Sequence, residues 1–139
     1  MFLDYIRENG INLEIIDATD STHTAQEAAD YCGCELRCIV KSLLTKIGDE
    51  FVLYLVPGDQ RLDLSNLSSS VDIRMAKADE VKEVTGYSIG GVPPFGHKNK
   101  IRTIITNGFP SDSKLFAAAG SASTMFSITL KQLAEQVSI

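Results

Sequence analysis

Few side chains in this 139-residue chain stand where they could do chemistry, and the first is Lys41. It sits in Cys38-Ile39-Val40-Lys41-Ser42-Leu43-Leu44, where every neighbour except Ser42 is apolar. On a strand, Lys41 shares a face with Ile39 and Leu43, while Val40, Ser42 and Leu44 point the other way. An ammonium among aliphatic neighbours is costly to desolvate unless it meets an anion or opens onto a wet cleft. A strand with one solvated face, from which the lysine reaches water, accounts for the segment at least as well. The second feature is the run Gly86-Tyr87-Ser88-Ile89-Gly90-Gly91-Val92-Pro93-Pro94-Phe95-Gly96-His97. Adjacent glycines admit positive φ and let a ligand approach bare backbone groups, and the prolines stiffen the residues after them. Such a loop can orient a small substrate without one reactive side chain. An ordinary connecting loop with turn residues is the alternative. His23 and His97 are the only histidines. His97 directly follows the loop, in place to act as a proton donor or hydrogen-bond partner near neutral pH. Local hydrogen bonding at a helix entry is an adequate explanation for His23. No Ser-His-Asp order, HExxH helix or phosphate loop is present.

Cys32, Cys34 and Cys38 lie close together, an odd count that does not fit a secreted disulfide framework. With His23 they make a Cys3His zinc set arithmetically, but one residue between Cys32 and Cys34 is tighter than the usual two to four. Small residues filling a helix end and a strand start explain them better. A thiol nucleophile would need a neighbouring base that sequence does not reveal. The net charge of −5 works against extensive nucleic-acid binding, which needs clustered cations, yet leaves room for a protein that grips only the last nucleotides of an RNA. The one basic cluster, His97-Lys98-Asn99-Lys100-Ile101-Arg102, reads first as a solvated loop. A hydrophobic share of 44% and a charged share of 22% are those of a water-soluble globular protein. No apolar run approaches the roughly 20 residues that cross a bilayer, and the amphipathic, acidic start lacks the features of a signal peptide. The expected location is the cytoplasm, with no membrane contact.

The secondary structure that holds these residues can be read from periodicity and punctuation. A helix over residues 2–9 stops at Asn9-Gly10, and a half-buried strand covers 11–15. Thr24 and Glu27 have capping-box spacing, so a helix begins there and ends near Gly33. Strands at 38–46 and 51–56 form a hairpin around Gly48-Asp49, and Pro57-Gly58-Asp59 breaks the second. Asp63 or Ser65 caps a short helix around Asn66. A strand at 71–75, a helix at 79–85 ended by Gly86, and the shaped loop 87–96 come next. Strands at 101–106, 115–119 and 125–129 and a closing helix at 130–137 complete the chain. Six or more strands with scattered helices predict one α+β domain over 1–139, built on a curved, barrel-like mixed or mainly antiparallel sheet surrounded by short helices.

In order along the chain, these residues resemble the YbaK/prolyl-tRNA editing domain family, also called aminoacyl-tRNA synthetase-associated domains. The resemblance is carried by Thr22-His23-Thr24-Ala25, Val40-Lys41-Ser42-Leu43-Leu44, Leu55-Val56-Pro57-Gly58-Asp59 with Leu62-Asp63, and Met75-Ala76. The most specific stretch is Thr85-Gly86-Tyr87 with Gly90-Gly91-Val92-Pro93-Pro94-Phe95-Gly96, and Ala119-Gly120 completes the series. The resemblance implies a free-standing deacylase that hydrolyses a wrong amino acid from the 3′ end of a transfer RNA, commonly proline tRNA. It implies that Lys41 holds the aminoacyl-adenosine end and that the backbone at Gly90 and Gly91 positions the ester with a water or a ribose hydroxyl. Substrate contacts are implied at His23, Thr24, Pro93, Pro94 and Phe95, and at Gly96, His97, Ala119 and Gly120. No metal or other cofactor is called for, because substrate groups held in place stand in for an enzymic nucleophile. A synthetase partner and a homodimer are both compatible with this reading. The branch that edits cysteine tends to carry a tyrosine around Ala18 and a serine at Ala119. Neither is here, so alanine, serine and threonine remain open. The competing reading is a non-catalytic module that binds charged tRNA or a synthetase.

Overall fold

Phe2 and Ile6 lie one helical turn apart and are the two buried positions of the first helix, α1 (Phe2–Glu8). A computed structural model describes residues 1–18, 24–67 and 72–137. Beyond α1 the chain runs through β1 (Glu14–Asp17), α2 (Ala25–Cys32), β2 (Val40–Ile47) and β3 (Glu50–Pro57). Then follow β4 (Ile73–Met75), α3 (Ala78–Thr85), β5 (Arg102–Ile105), β6 (Leu115–Ser121), β7 (Thr124–Ile128) and α4 (Leu130–Val137). The architecture is α+β, as the alternation of short strands and helices predicts. The described strands fall into two sheets that are not closed into a barrel. One is antiparallel with order β1-β7-β6, the other mixed with order β4-β2-β3-β5. Its β3–β5 pairing is parallel and its other pairings antiparallel. A single parallel bridge, Ile39 to Phe116, joins them.

Local chemistry explains most boundaries. The Thr24 hydroxyl accepts the Glu27 N–H at 3.0 Å while the Glu27 carboxylate accepts the Thr24 N–H at 3.2 Å, a complete capping box for α2. Gly33, at φ +67°, ends that helix in the left-handed conformation that favours glycine. Asp63 accepts the Ser65 N–H at 3.1 Å and caps the 3-10 turn Leu64–Asn66. The Thr129 hydroxyl and Gln132 amide cap α4 in the same reciprocal way as α2. The first strand differs from expectation. It lies at Glu14–Asp17 rather than 11–15, because Ile11 is still tied to α1 through its N–H to the Ile6 carbonyl at 2.8 Å. Ile11 and Leu13 pack on the core from the connection instead. The expected strand 71–75 is found at Ile73–Met75, and Val71 lies outside the described residues.

The main core collects between the sheets. Phe2, Phe95 and Phe126 meet there with ring centroids 4.9 to 5.8 Å apart, inside the range for favourable aromatic pairs. Val40, Leu44, Leu53, Leu55, Leu115 and Leu133 surround them. A smaller cluster covers the opposite face of the β2–β3 hairpin, with Leu43, Val52, Tyr54 and Val56 beneath Leu62 and Leu67. The two clusters fix the facing of β2: Val40, Ser42 and Leu44 turn to the main core, and Lys41 and Leu43 turn away from it.

Candidate functional site

β2 is the element on which the site depends. One of its edges pairs with β3 along the whole strand, from Val40 to Ile47. The other pairs with β4 only at Thr45, Lys46 and Ile47. Ile39 accepts the Gly58 N–H at 2.8 Å on the β3 side, and Leu44 accepts the Ala76 N–H at 2.9 Å on the opposite side. Peptide groups alternate in an antiparallel ladder, so those of Val40 and Ser42 also point to the β4 side. Between the end of β4 and the Ile39–Phe116 bridge to β6, that edge pairs with no strand among the described residues.

A cavity of about 330 Å³ opens along it. Its inner wall is the stretch Ile39 to Leu44, and its far wall is Ala118 of β6 and Met125 of β7. Thr24, Ala25 and Ala28 of the capped α2 start close one side, while Ala76 and Val81 close another. Ile89, Gly90 and Val92 of the glycine-proline loop complete it. Met75 and Ile89, exposed at 42% and 62%, supply apolar surface at the rim. Lys41 and Gly90, far apart in sequence, therefore line the same space.

The Lys41 side chain is partly buried, and its ammonium donates to the backbone carbonyl of Gln60, on the face of β2 turned from the main core. Burial lowers its pKa first, the neighbouring Arg61 lowers it further, and Asp59 opposes both. The ammonium thus lies toward the turn that follows β3, with four rotatable bonds between it and the backbone. The Ser42 hydroxyl, on the face turned to the core and cavity, is buried and has no hydrogen-bond partner among the described residues.

The loop has two unlike halves. Its outer half is a turn closed by the Gly91 N–H to the Ser88 carbonyl at 3.0 Å, with Gly90 at φ +92°. Positive φ at the third residue is the type II pattern, which calls for glycine. The inner half, Gly91 to Phe95, is buried. A Cβ on Gly91 would meet the Ser121 Cα at 2.9 Å, so only hydrogen fits there. Three side-chain groups hold the loop. The buried Thr85 hydroxyl donates to the Val81 carbonyl at 2.7 Å and accepts the Tyr87 N–H at 3.0 Å. The Tyr87 hydroxyl donates to the Gly96 carbonyl at 3.2 Å. His97 Nε2–H donates to the Pro93 carbonyl at 2.6 Å.

Those bonds give several sequence-derived candidates a different position from Lys41. His97 is a loop staple, and burial pushes its pKa down although the Pro93 bond pushes it up. It lines a separate depression with Tyr5, Pro94 and Lys100. Phe95 belongs to the aromatic core and Pro93 is fully buried. Gly91, Ala119 and Gly120 line a third depression beside Phe2 and Tyr87, and Gly96 packs against the Tyr5 ring. Thr24 and Gly90 share the cavity with Lys41, whereas His23 lies outside the described residues. Sequence reasoning quoted Thr85, Tyr87, Met75 and Ser42 only as parts of motifs and gave none of them a role, and it gave Ile89 no role beyond the shaped loop.

The cysteines offer no thiolate. Burial raises all three thiol pKa values, Cys34 to about 11. The described residues hold no group of three or more His, Cys, Asp or Glu that could bind a metal. No helix among them is long and apolar enough to cross a membrane.

The small cavity between the two sheets thus takes in both Lys41 and the Gly90 turn. The chain belongs to the aminoacyl-tRNA editing domain family, whose profile matches residues 19–135. It is 31% identical over 137 residues to YwhH of Bacillus subtilis (strain 168), an uncharacterised protein, covering 96% of this chain and 85% of that one. It is 36% identical over 93 residues to the proline–tRNA ligase of Thermosipho africanus, covering 65% of this chain but only 16% of the ligase. Among solved structures, one described as a candidate trans-editing enzyme for prolyl-tRNA synthetase superposes with a TM-score of 0.88 at 34% identity, covering 97% of this chain and 88% of that one.

Proposed function

We propose that this protein is a cytoplasmic aminoacyl-tRNA deacylase that acts in trans, with residues 1–139 as one editing unit, on mischarged proline tRNA. The observation that carries the reading is that Lys41 and Gly90 line one small cavity in a chain of this family. The bound partner is the tRNA 3′ end. Terminal adenosine lies against the rim at Met75 and Ile89, and the esterified amino acid enters the cavity. Lys41 leaves the neutral Gln60 carbonyl for a phosphate or ester oxygen of the substrate, because an ammonium gains more from an anion. The Ile89–Gly90 peptide, at the exposed tip of a fixed turn, orients the ester carbonyl and the attacking water. Water oxygen bonds to the carbonyl carbon and the bond to the ribose oxygen breaks. A proton ends on the ribose hydroxyl, and the free carboxylic acid gives up its own to solvent. Positioning of this kind needs no enzymic nucleophile, in keeping with thiols that burial holds protonated.

The test is a deacylation panel of several amino acids on proline tRNA, with other tRNAs as controls. Hydrolysis of at least one mischarged proline tRNA is expected, and Lys41→Ala should slow it about 100-fold or more, the order of loss when a preorganised charge-stabilising group is removed. Full activity in the variant overturns the role of Lys41. Saturable tRNA binding without hydrolysis of any ester replaces the enzyme with a binding module.

A further inference from the structure

Peptide groups, rather than polar side chains, are what β2 offers the cavity. The carbonyl of Ile39 is turned to β3, where it accepts the Gly58 N–H, and that of Leu44 is turned to the β4 side, where it accepts the Ala76 N–H. Every second residue of an antiparallel strand directs both its N–H and its C=O to the same edge. Ser42, two residues before Leu44, therefore directs both groups to the edge along which the cavity opens, and it is one of the residues that line that cavity. Its hydroxyl is closed to solvent while the residue as a whole is partly exposed, so the surface it shows is backbone and Cβ. On one side of it Leu44 is tied to Ala76, and on the other the Ile39–Phe116 bridge joins the edge to β6. Between those two ties the edge pairs with no strand among the described residues.

A peptide donor and acceptor side by side on a sheet edge are a template for another extended backbone. The cavity, about 330 Å³ and walled by Ala28, Val81, Gly90 and Met125, holds a small group and not a whole strand. An aminoacyl ester has the matching pattern at that size. Its N–Cα–C=O unit is one residue of backbone, with an ammonium that donates at one end and a carbonyl that accepts at the other.

We propose that the aminoacyl group of the tRNA 3′ end pairs with the Ser42 backbone as a one-residue antiparallel strand, continuing the ladder where β4 stops. This rests on the deacylase reading above and deepens it. The α-ammonium donates to the Ser42 carbonyl, and the Ser42 N–H donates to the ester carbonyl. Ala76 is bonded to Leu44, so the next paired position, opposite Ser42, falls two residues further on, where the chain has already turned into α3 at Ala78. The substrate takes the place that the chain leaves. Residues directly opposite in a ladder carry their side chains on the same face, so the side chain of an L-amino acid lies on the face of Val40 and Leu44. The ester carbonyl keeps a second lone pair for the Ile89–Gly90 peptide.

Amide hydrogen exchange, read by NMR on the full chain, tests this at the atom. The N–H groups of Lys41 and Leu43 point to β3 and should be protected in the free protein. The Ser42 amide should exchange roughly tenfold faster than either, or more, because no ladder bond holds it. Saturation with 3′-alanylamino-3′-deoxyadenosine, an amide in place of the ester, should slow Ser42 about tenfold, the worth of one hydrogen bond, and leave Lys41 and Leu43 as they were. A Ser42 amide already protected in the free protein means that another segment of the chain fills the gap, and overturns the proposal. So does a bound analogue that leaves its exchange unchanged. The 3′-propanoylamino analogue, which lacks only the α-ammonium, should bind roughly tenfold more weakly; equal affinity overturns the pairing. The deacylation panel separates this from the enzyme reading. Hydrolysis of a mischarged proline tRNA by a chain that does not bind the analogue, or binds it without protecting Ser42, keeps the deacylase and removes the pairing. Protection of Ser42 without hydrolysis of any ester keeps the pairing and removes the enzyme.

Discussion

The two ends of β2 are made of similar residues and do different things. At Thr45–Ile47 the strand is paired on both edges, and Thr45 is wholly buried, its hydroxyl donating to the Val52 carbonyl at 2.9 Å. At Val40–Leu43 the strand is paired on one edge, a cavity occupies the other, and the hydroxyl there has no partner among the described residues. One hydroxyl is bonded within the fold and the other is not. The difference lies not in residue type but in where β4 stops: a three-residue strand leaves half of its neighbour uncovered. A short edge strand, usually read as protection against aggregation, here leaves room for the cavity.

Substitutions put that contrast to the test. The largest effect on the scaffold is expected at Gly91, where a side chain would press on the immovable backbone of Gly120 and Ser121. Gly91→Ala should cost about 2 kcal/mol in denaturant unfolding, the scale of forced overpacking. A neutral result would mean that the loop shifts freely and does not present a fixed turn. Next, Thr45→Val should cost about 1 kcal/mol by the same measurement, since a satisfied buried hydrogen bond is lost. If Ser42→Ala proved as costly as Thr45→Val, the two ends of the strand would not differ as described.

Smaller effects are read against pH. Arg74 holds Glu80 with two bonds of 2.7 and 2.9 Å, and that interaction above all, with the Lys77 N–H second, lowers the carboxyl to about 2. The folded pKa is below the ordinary value of 4.5, so acidification protonates the unfolded chain first. The contribution of this group to stability is complete above pH 4.5 and is lost as pH falls toward about 2. Arg74→Gln should flatten the fall in melting temperature across that window while leaving deacylation at neutral pH unchanged. This pair braces β4 to α3, so it belongs to the covered end of β2. At the open end the sign is reversed. The lowered pKa of Lys41 means that activity needing its ammonium declines as pH rises, starting below the range of an ordinary lysine. Arg61→Gln removes one cause of the lowering and should move that alkaline limb upward in a corrected pH–rate profile; no movement would detach Arg61 from Lys41.

How much of this was legible in the sequence depends on how far apart the interacting residues lie. Thr24 with Glu27, Gly33, Gly48-Asp49 and Asp63 announce their caps and turns because the partners are within a few residues. The β3–β5 parallel pairing joins segments separated by a helix and the shaped loop, and nothing local specifies it. The uncovered edge is invisible for the same reason, since it depends on the length of β4 and not on any property of Val40 or Ser42. The loop was legible as rigid but not as divided. Glycine and proline composition says that Gly86 to His97 is shaped, yet only packing against Phe2, Phe126 and Ser121 decides that Gly90 lines the cavity while Phe95 and His97 serve the scaffold. Resemblance to the family gave the site its lysine and its turn together; the residues themselves left both open.

The chamber borrows its walls from both sheets, Val40 to Leu44 on one and Ala118 with Met125 on the other, and among the described residues one backbone bridge, Ile39 to Phe116, ties the packed sheets together. Its bore is accordingly a matter of how two planes lean on each other around a hinge line. A bulkier or slimmer side chain at Phe116, or at Cys32 where its sulfur lies 3.9 Å from that of Met125, would tilt one plane and resize the chamber from outside it. The shape of the chamber is therefore open to change by residues that do not line it.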